Sequence, residues 1–318
     1  MKVTEHIVQA DKCLFSFEIL PPLKGQDINA IYHTVENLLE FNPPFIDVTY
    51  HREEYQYVEK AGGLLEKRVV RKRPGTLGIC AALQSKYDVD MVPHVLCGGF
   101  TKEDTENFLI DLDFLGINNV VALRGDAVST EVYFKPEQQG HSYASELVAQ
   151  INGLNKGHYL DEELKHSHAT DFCIGVGGYP EKHMEAPSLE NDIAFLKQKV
   201  DSGADYIITQ MFFDNQKYFE FVDRCRKEGI NCPIIPGLKP ISTIKQLSLL
   251  PHRFHVDLPQ DLIQAVESCS SNTQVKEVGI EWCIAQSQEL IQAGVPVLHY
   301  YTMSRSDNIH KIAKAIFY

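Results

Sequence analysis

The stretch Phe15-Ser16-Phe17-Glu18-Ile19-Leu20-Pro21-Pro22 sets one carboxylate near the end of an apolar run, just before two prolines. An acid with apolar neighbours keeps its proton to higher pH, which suits a general acid. The alternative is a structural carboxylate paired with an arginine. Ala122-Leu123-Arg124-Gly125-Asp126 puts a cation and an anion on one face of a strand end, with Gly125 allowing close backbone approach. An internal ion pair would use the same residues. Gly175-Val176-Gly177-Gly178-Tyr179-Pro180 lacks the spacing of a dinucleotide fingerprint. Gly177 and Gly178 instead leave room beside a strand for a flat ligand. The next eight residues, Pro180-Glu181-Lys182-His183-Met184-Glu185-Ala186-Pro187, add two acids, a lysine and a histidine, as an ordinary polar loop also would. Gln210 ends an apolar run and must find partners, whether a pteridine-like edge or a neighbouring backbone.

Other candidates carry less. His158, His166 and His168 lack a cysteine or carboxylate completing a metal set, so no metal is expected. Lys239 could form a Schiff base, but Pro240 follows it in a turn. The basic run Lys67-Arg68-Val69-Val70-Arg71-Lys72-Arg73 reads as a solvated loop. Neither G-x-S-x-G nor a phosphate-binding G-x-x-x-x-G-K-[ST] occurs.

These residues need a scaffold that brings strand ends together. Short β-rich runs at 13–20, 45–50, 91–97, 119–124, 172–178, 205–211, 233–238 and 296–302 alternate with helix-like segments such as 102–115, 144–154, 189–202, 216–228 and 307–317. Several helices stop at glycine: Gly116, Gly203, Gly229 and Gly294. The weakest stretch is 51–90, with an extra helix expected from Thr76. Alternation over eight units predicts an α/β fold, a (β/α)₈ barrel with a parallel sheet. Chemistry in such a barrel sits at the C-terminal ends of the strands. Those ends carry Glu18, Thr49 and Tyr50, His94, Arg124 and Asp126, Tyr179, Gln210, and Tyr301 with Arg305 beyond it.

The chain has 318 residues, 44% of them hydrophobic, and no Pro/Gly/Ser linker, so residues 1–318 read as one domain. A formal charge of -13 argues against nucleic-acid or anionic-membrane partners. The N-terminus lacks a signal-peptide core, and no run reaches the ~20 apolar residues of a membrane span. Eight cysteines are scattered without a C-x-x-C pair, as expected for reduced core residues of a cytoplasmic protein.

Read together, FSFEILPP, DVTY, PHVLC, NVVALRGD, YASELV, IGVGGYPEKHMEA, LKQKVDSGADYIITQMFFD, PGLKPI and HYYTMSR occur in an order that resembles the methylenetetrahydrofolate reductase family from Phe15 to about Arg305. The resemblance implies a flavin-containing (β/α)₈ barrel of the bacterial type. It would reduce 5,10-methylenetetrahydrofolate to 5-methyltetrahydrofolate with NADH or NADPH, by a ping-pong mechanism through FAD, for methionine biosynthesis. It implies that Glu18 protonates the folate and that Asp126 lies beside the flavin. His94, Arg124, Gly125, Asp126, Tyr143, Tyr179, His183, Glu185, Asp192 and Lys199 match positions that hold FAD. Glu18, Gln210, Thr49, Gln246, Tyr301 and Arg305 match positions around the folate and nicotinamide. A homo-oligomer is expected. So is the lack of an S-adenosylmethionine-responsive domain, since one helix follows the last strand. His51-Arg52, Gly177-Gly178, the 67–73 insertion, and Leu250 in place of a stacking aromatic depart from the common pattern. The rival readings are a flavin-free barrel aldolase or hydrolase using Lys239 or a metal, and a non-catalytic folate-binding barrel.

Overall fold

The computed structural model describes residues 1–128, 131, 133–303 and 305–318; Ser304 of HYYTMSR lies outside the described residues. Parallel strands form the centre: β1 (Leu14–Ile19), β2 (Phe45–Val48), β3 (Asp90–Leu96), β4 (Asn119–Leu123), β5 (Cys173–Gly178), β6 (Tyr206–Thr209), β7 in two pieces (Ile234–Ile235 and Gly237–Leu238) and β8 (Val297–Tyr301). Each pairs with the next, and β8 pairs with β1, so the sheet closes on itself. The eight expected strands are all present.

Alternation along each strand divides the residues between two cores. On β1, Phe15, Phe17 and Ile19 point outward into the layer between strands and helices, where they are 0–2% exposed. Each such burial contributes about 1.5–3 kcal/mol. The inward residues behave differently at the two ends of the barrel. At the bottom, Phe45, Val92, Val121, Cys173, Tyr206 and Val297 form an apolar plug, completed by Val3 from the N-terminal helix Val3–Gln9. Nearer the mouth the inward positions turn polar, with Ser16, Asp47, His94 and His299 all buried.

β7 is the irregular seam. Its first piece pairs with β6 and its second with β8, and Pro236 between them donates no hydrogen bond. The carbonyl of Pro236 accepts from His299 N at 3.1 Å. Tyr301 then reaches across β7 and gives its hydroxyl to Thr209 O at 2.6 Å. Gly237 makes this crossing possible, because a Cβ there would stand 2.2 Å from Thr209 O and 2.6 Å from the Tyr301 hydroxyl.

One departure from the sequence reading has a plain cause. The basic run 67–73 is no solvated loop. Leu65–Val70 pairs antiparallel with Glu54–Glu59 in a hairpin turning through Gly62 and Gly63, both at positive φ. Its base is fixed where Arg73 donates to Pro21 O and Arg71 to the Tyr50 hydroxyl at 3.3 Å. Leu250, which stands in place of a stacking aromatic, is 1% exposed, in a satellite core with Met211, Phe213, Ile241 and Leu262. That core lies under helices Gln246–Phe254, Gln260–Glu267 and Asn272–Gln292. The eight cysteines are unbridged, five of them buried. No helix among the described residues is long and apolar enough to cross a membrane.

Candidate active site

The register of β1 determines what surrounds its acid. Glu18 is level with Asp47 on β2 and with Tyr301 on β8. All three face inward. Pro21 and Pro22 carry the chain away from the mouth, leaving the Glu18 side chain 17% exposed. Thr49 Oγ1 donates to Glu18 Oε1 at 2.5 Å. His94 Nε2 stands 3.5 Å from Glu18 Oε2. From behind, Thr302 Oγ1 ties the Glu18 carbonyl at 2.7 Å. Burial raises the Glu18 pKa and the nearby Asp47 adds to it, against the opposing pull of His94 and the Thr49 hydroxyl. The carboxyl is thus held protonated further up the pH scale than an ordinary glutamate. Burial also lowers the His94 pKa, so its imidazole is biased toward the neutral form.

A second group gathers over the ends of β4 and β5. Arg124 Nη1 binds Glu185 Oε2 at 2.5 Å, which draws the Glu185 pKa down. The Tyr179 and His183 rings meet edge to face at 4.8 Å. Asp192 Oδ2 accepts from His183 N at 3.0 Å, and Lys199 Nζ donates to Gly177 O at 2.5 Å. Burial brings the Lys199 pKa down to about 8. Lys182 adopts a left-handed backbone (φ 83°) and fastens the loop through Nζ to Ala186 O at 2.7 Å. Gly125, at φ 84°, turns the β4 loop. Asp126 stands exposed at the rim, close enough for its charge to bear on His51, Tyr179 and Arg124. The two glycines of β5 divide their work. Gly177 faces the barrel, with Leu123 3.3 Å from where its Cβ would be. Gly178 faces outward, where Ile207 (2.8 Å) and Phe221 (3.0 Å) leave no room for a side chain. Of the two, Gly177 is the one on the side of the mouth, with the Leu123 side chain close over it.

Three expected residues stand apart. Tyr143 is 62% exposed at the start of helix Ala144–Leu154. Gln246 spends its Oε1 on Ser242 N (2.6 Å) and Thr243 N (3.2 Å), capping its own helix. Arg305 is exposed beyond β8. Gln210 is half-buried at the end of β6, with its Oε1 accepting from Met211 N at 3.0 Å, so the neighbouring backbone takes it here. Lys239 donates to Pro240 O at 3.4 Å in a pocket lined by Phe213, Trp282 and Cys283, and burial lowers its pKa to about 8. Asp47 and His299 are inward polar residues that sequence reasoning overlooked. A lone acid inside the apolar run FIDV, level with Glu18, was the available signal.

The residues over β4 and β5 suit a large ligand that is both anionic and aromatic. Arg124, paired with Glu185, and Lys199 carry positive charge, Tyr179 and His183 offer ring faces, and Gly177 adds no side chain to the strand surface. They are compatible with a flavin.

A parallel eight-stranded barrel with a buried acid of raised pKa and a charged, ring-lined shelf at its C-terminal rim defines the class: a (β/α)₈ protein with a polar site at the ends of its strands. A profile of the methylenetetrahydrofolate reductase family matches residues 2–316, and the chain belongs to that family. It is 32% identical to methylenetetrahydrofolate reductase 1 of Schizosaccharomyces pombe, covering 99% of this chain and 48% of that protein. It is 29% identical to 5,10-methylenetetrahydrofolate reductase of Escherichia coli, covering 95% of this chain and 90% of that protein. A methylenetetrahydrofolate reductase (NADH) of Arabidopsis thaliana is 32% identical, with 49% of its length covered. The chain thus spans about half the length of its fungal and plant relatives. The barrel also superposes on an uncharacterized protein from Clostridium thermocellum that binds two copies of 5-methyl-5,6,7,8-tetrahydrofolic acid. There the TM-score is 0.57 at 14% identity, covering 99% and 97% of the two chains, a likeness of fold.

Proposed function

We propose that this chain, as one catalytic barrel over residues 1–318, reduces 5,10-methylenetetrahydrofolate to 5-methyltetrahydrofolate. NADH or NADPH is the hydride donor, FAD the bound cofactor, and the two half-reactions alternate at one site. The setting is cytoplasmic one-carbon metabolism supplying methionine biosynthesis, and the working form is a homo-oligomer with small molecules as its partners. The observation that carries the reading is Glu18: a carboxyl biased toward its protonated form at the open mouth of a barrel of this family.

Each residue has a task. Arg124, Gly125, Tyr179, His183, Glu185, Asp192 and Lys199 hold the flavin, with His94 and Tyr143 at its margins. Bound FAD supplies hydride transfer between nicotinamide and folate. Glu18 delivers a proton to the folate nitrogen, and Thr49 keeps its carboxyl aimed. The Asp126 charge favours a cationic folate. Gln210 exchanges its bond to Met211 for the pterin edge. Tyr301, Gln246 and Arg305 border the shared nicotinamide and folate site, where Gln246 must release Ser242 and Arg305 must swing inward from solvent.

The test is the visible spectrum of the purified protein before and after anaerobic NADH, followed by methylenetetrahydrofolate. Bleaching of a flavin spectrum and its return with folate are expected, with FAD in an acid extract. A colourless protein that stays so after incubation with FAD would refute the reading.

A further inference from the structure

Asp47 is fully buried, and neither of its carboxyl oxygens has a hydrogen-bond partner among the described residues. An unpaired carboxylate in such a place costs several kcal/mol, so the group keeps a proton or shares one. The parallel register fixes what it can share with. Asp47 and Glu18 are direct neighbours on β2 and β1, with strands about 4.8 Å apart. His94 Nε2, from β3, stands 3.6 Å from Asp47 Oδ2 and 3.5 Å from Glu18 Oε2. One imidazole nitrogen is therefore almost equidistant from two carboxyl groups.

Other groups facing this pair are committed or neutral. Thr49 is bonded to Glu18, and His299 Nδ1 to Ser16 Oγ at 2.9 Å. The Tyr301 hydroxyl is given to Thr209. Tyr206 on β6 and Cys80 on helix Thr76–Tyr87 lie near Asp47, and burial keeps both protonated. Among the described residues, the ion-pair contacts of Asp47 and Glu18 are with His94 alone.

We propose that Asp47 is a positioning residue that stores a proton and passes it to His94 Nε2 when Glu18 ionises. The step balances within the unit. Glu18 gives its proton to substrate. The O–H bond of Asp47 breaks as an N–H bond forms on His94, and the imidazolium then lies between two carboxylates. The unit carries one net negative charge before and after this transfer, so the proton moves without adding charge to the desolvated site. Glu18 regains its proton from solvent at the mouth, and the stored proton returns to Asp47. Contacts of 3.5–3.6 Å shorten on ionisation, as catalytic contacts in a ligand-free site do.

This rests on the reading of Glu18 as the acid, and the experiment separates the two. In Asp47→Asn the side-chain amide still donates to His94 but releases no proton. The Glu18 anion loses the imidazolium that the stored proton creates, and this loss outweighs removal of the Asp47 charge, which by itself holds the Glu18 pKa up, so the Glu18 pKa rises. The high-pH limb of the folate half-reaction should move up by about one unit while its plateau falls about tenfold. Flavin reduction by NADH should stay unchanged. A limb that stays in place or moves down overturns the proposal. Nitrogen NMR of the wild-type protein with labelled histidine needs no turnover and no variant that must fold. At pH 7, His94 Nε2 should report a bare lone pair; a protonated Nε2 also overturns the proposal. A bare Nε2 in a protein that does not reduce folate would refute the proposed function and leave the proton store standing.

Discussion

Replacing Glu18 with glutamine should divide catalysis into a half that survives and a half that fails. Glutamine matches glutamate in shape, and its Oε1 can still accept from Thr49, while its amide can turn toward His94. The strand end and the Pro21-Pro22 turn should therefore hold. What disappears is the transferable proton. Hydride transfer from NADH needs none, so flavin reduction should stay within about tenfold of wild type, ~1.4 kcal/mol in barrier. Folate reduction loses a positioned general acid, typically worth ~10²–10⁴-fold, or roughly 3–5 kcal/mol. The wild-type pH dependence supports the same assignment. The reaction requires protonated Glu18, whose pKa burial raises, so the folate half should slow as pH climbs through that raised value. Glu18→Gln should lose this limb. Anaerobic stopped-flow on each half separately is the assay. Equal losses in both halves would make Glu18 a structural residue. Unchanged rates in both would assign the proton to another group.

Further outcomes follow from other parts of the molecule. Asp126→Asn should retain its flavin yet reduce folate roughly tenfold more slowly, since a rim charge stabilising a cationic substrate is gone; a wild-type rate would leave Asp126 without a catalytic part. Gly237→Ala should destabilise the barrel by at least ~1–3 kcal/mol, because the added carbon meets the Thr209 carbonyl at 2.2 Å, read as a lower urea midpoint at unchanged slope. Burial raises the Glu181 pKa from 4.5 to about 7. Between those values the unfolded chain has released a proton that the folded one keeps, so stability falls with rising pH by at most ~1.4 kcal/mol per unit. Glu181→Gln should flatten melting temperature against pH across that window, and an unchanged slope would contradict it.

The strands were legible because each is a short β-branched or aromatic run bounded by turn residues, and parallel strands buried on both faces read as continuous apolar stretches. Glu18 stood out for the same reason, as an interruption in such a run. Asp47 interrupts FIDV in the same way but sits one residue from the mouth motif and was passed over. Only the register shows that it lies level with Glu18. The hairpin had a signal in the alternation of Glu54-Tyr55-Gln56-Tyr57-Val58-Glu59 before Gly62-Gly63, which the density of basic residues obscured. Gln246 shows a different limit. A residue type matched to a role says nothing of a nearby backbone amide that competes for its oxygen, as that of Ser242 does.

Closing the barrel through β1 and β8 has a consequence for the order of events during synthesis. Glu18 leaves the ribosome well before Tyr301 and Thr302, which fix its level and tie its carbonyl and come 283 and 284 positions later. Long-range pairing of this kind forms slowly, and large α/β chains pass through partly assembled states. A growing chain therefore carries Glu18 as an ordinary solvated carboxylate until those residues emerge. Its acidity becomes unusual only when the last strand docks, so the reactive group matures at the same moment as the fold.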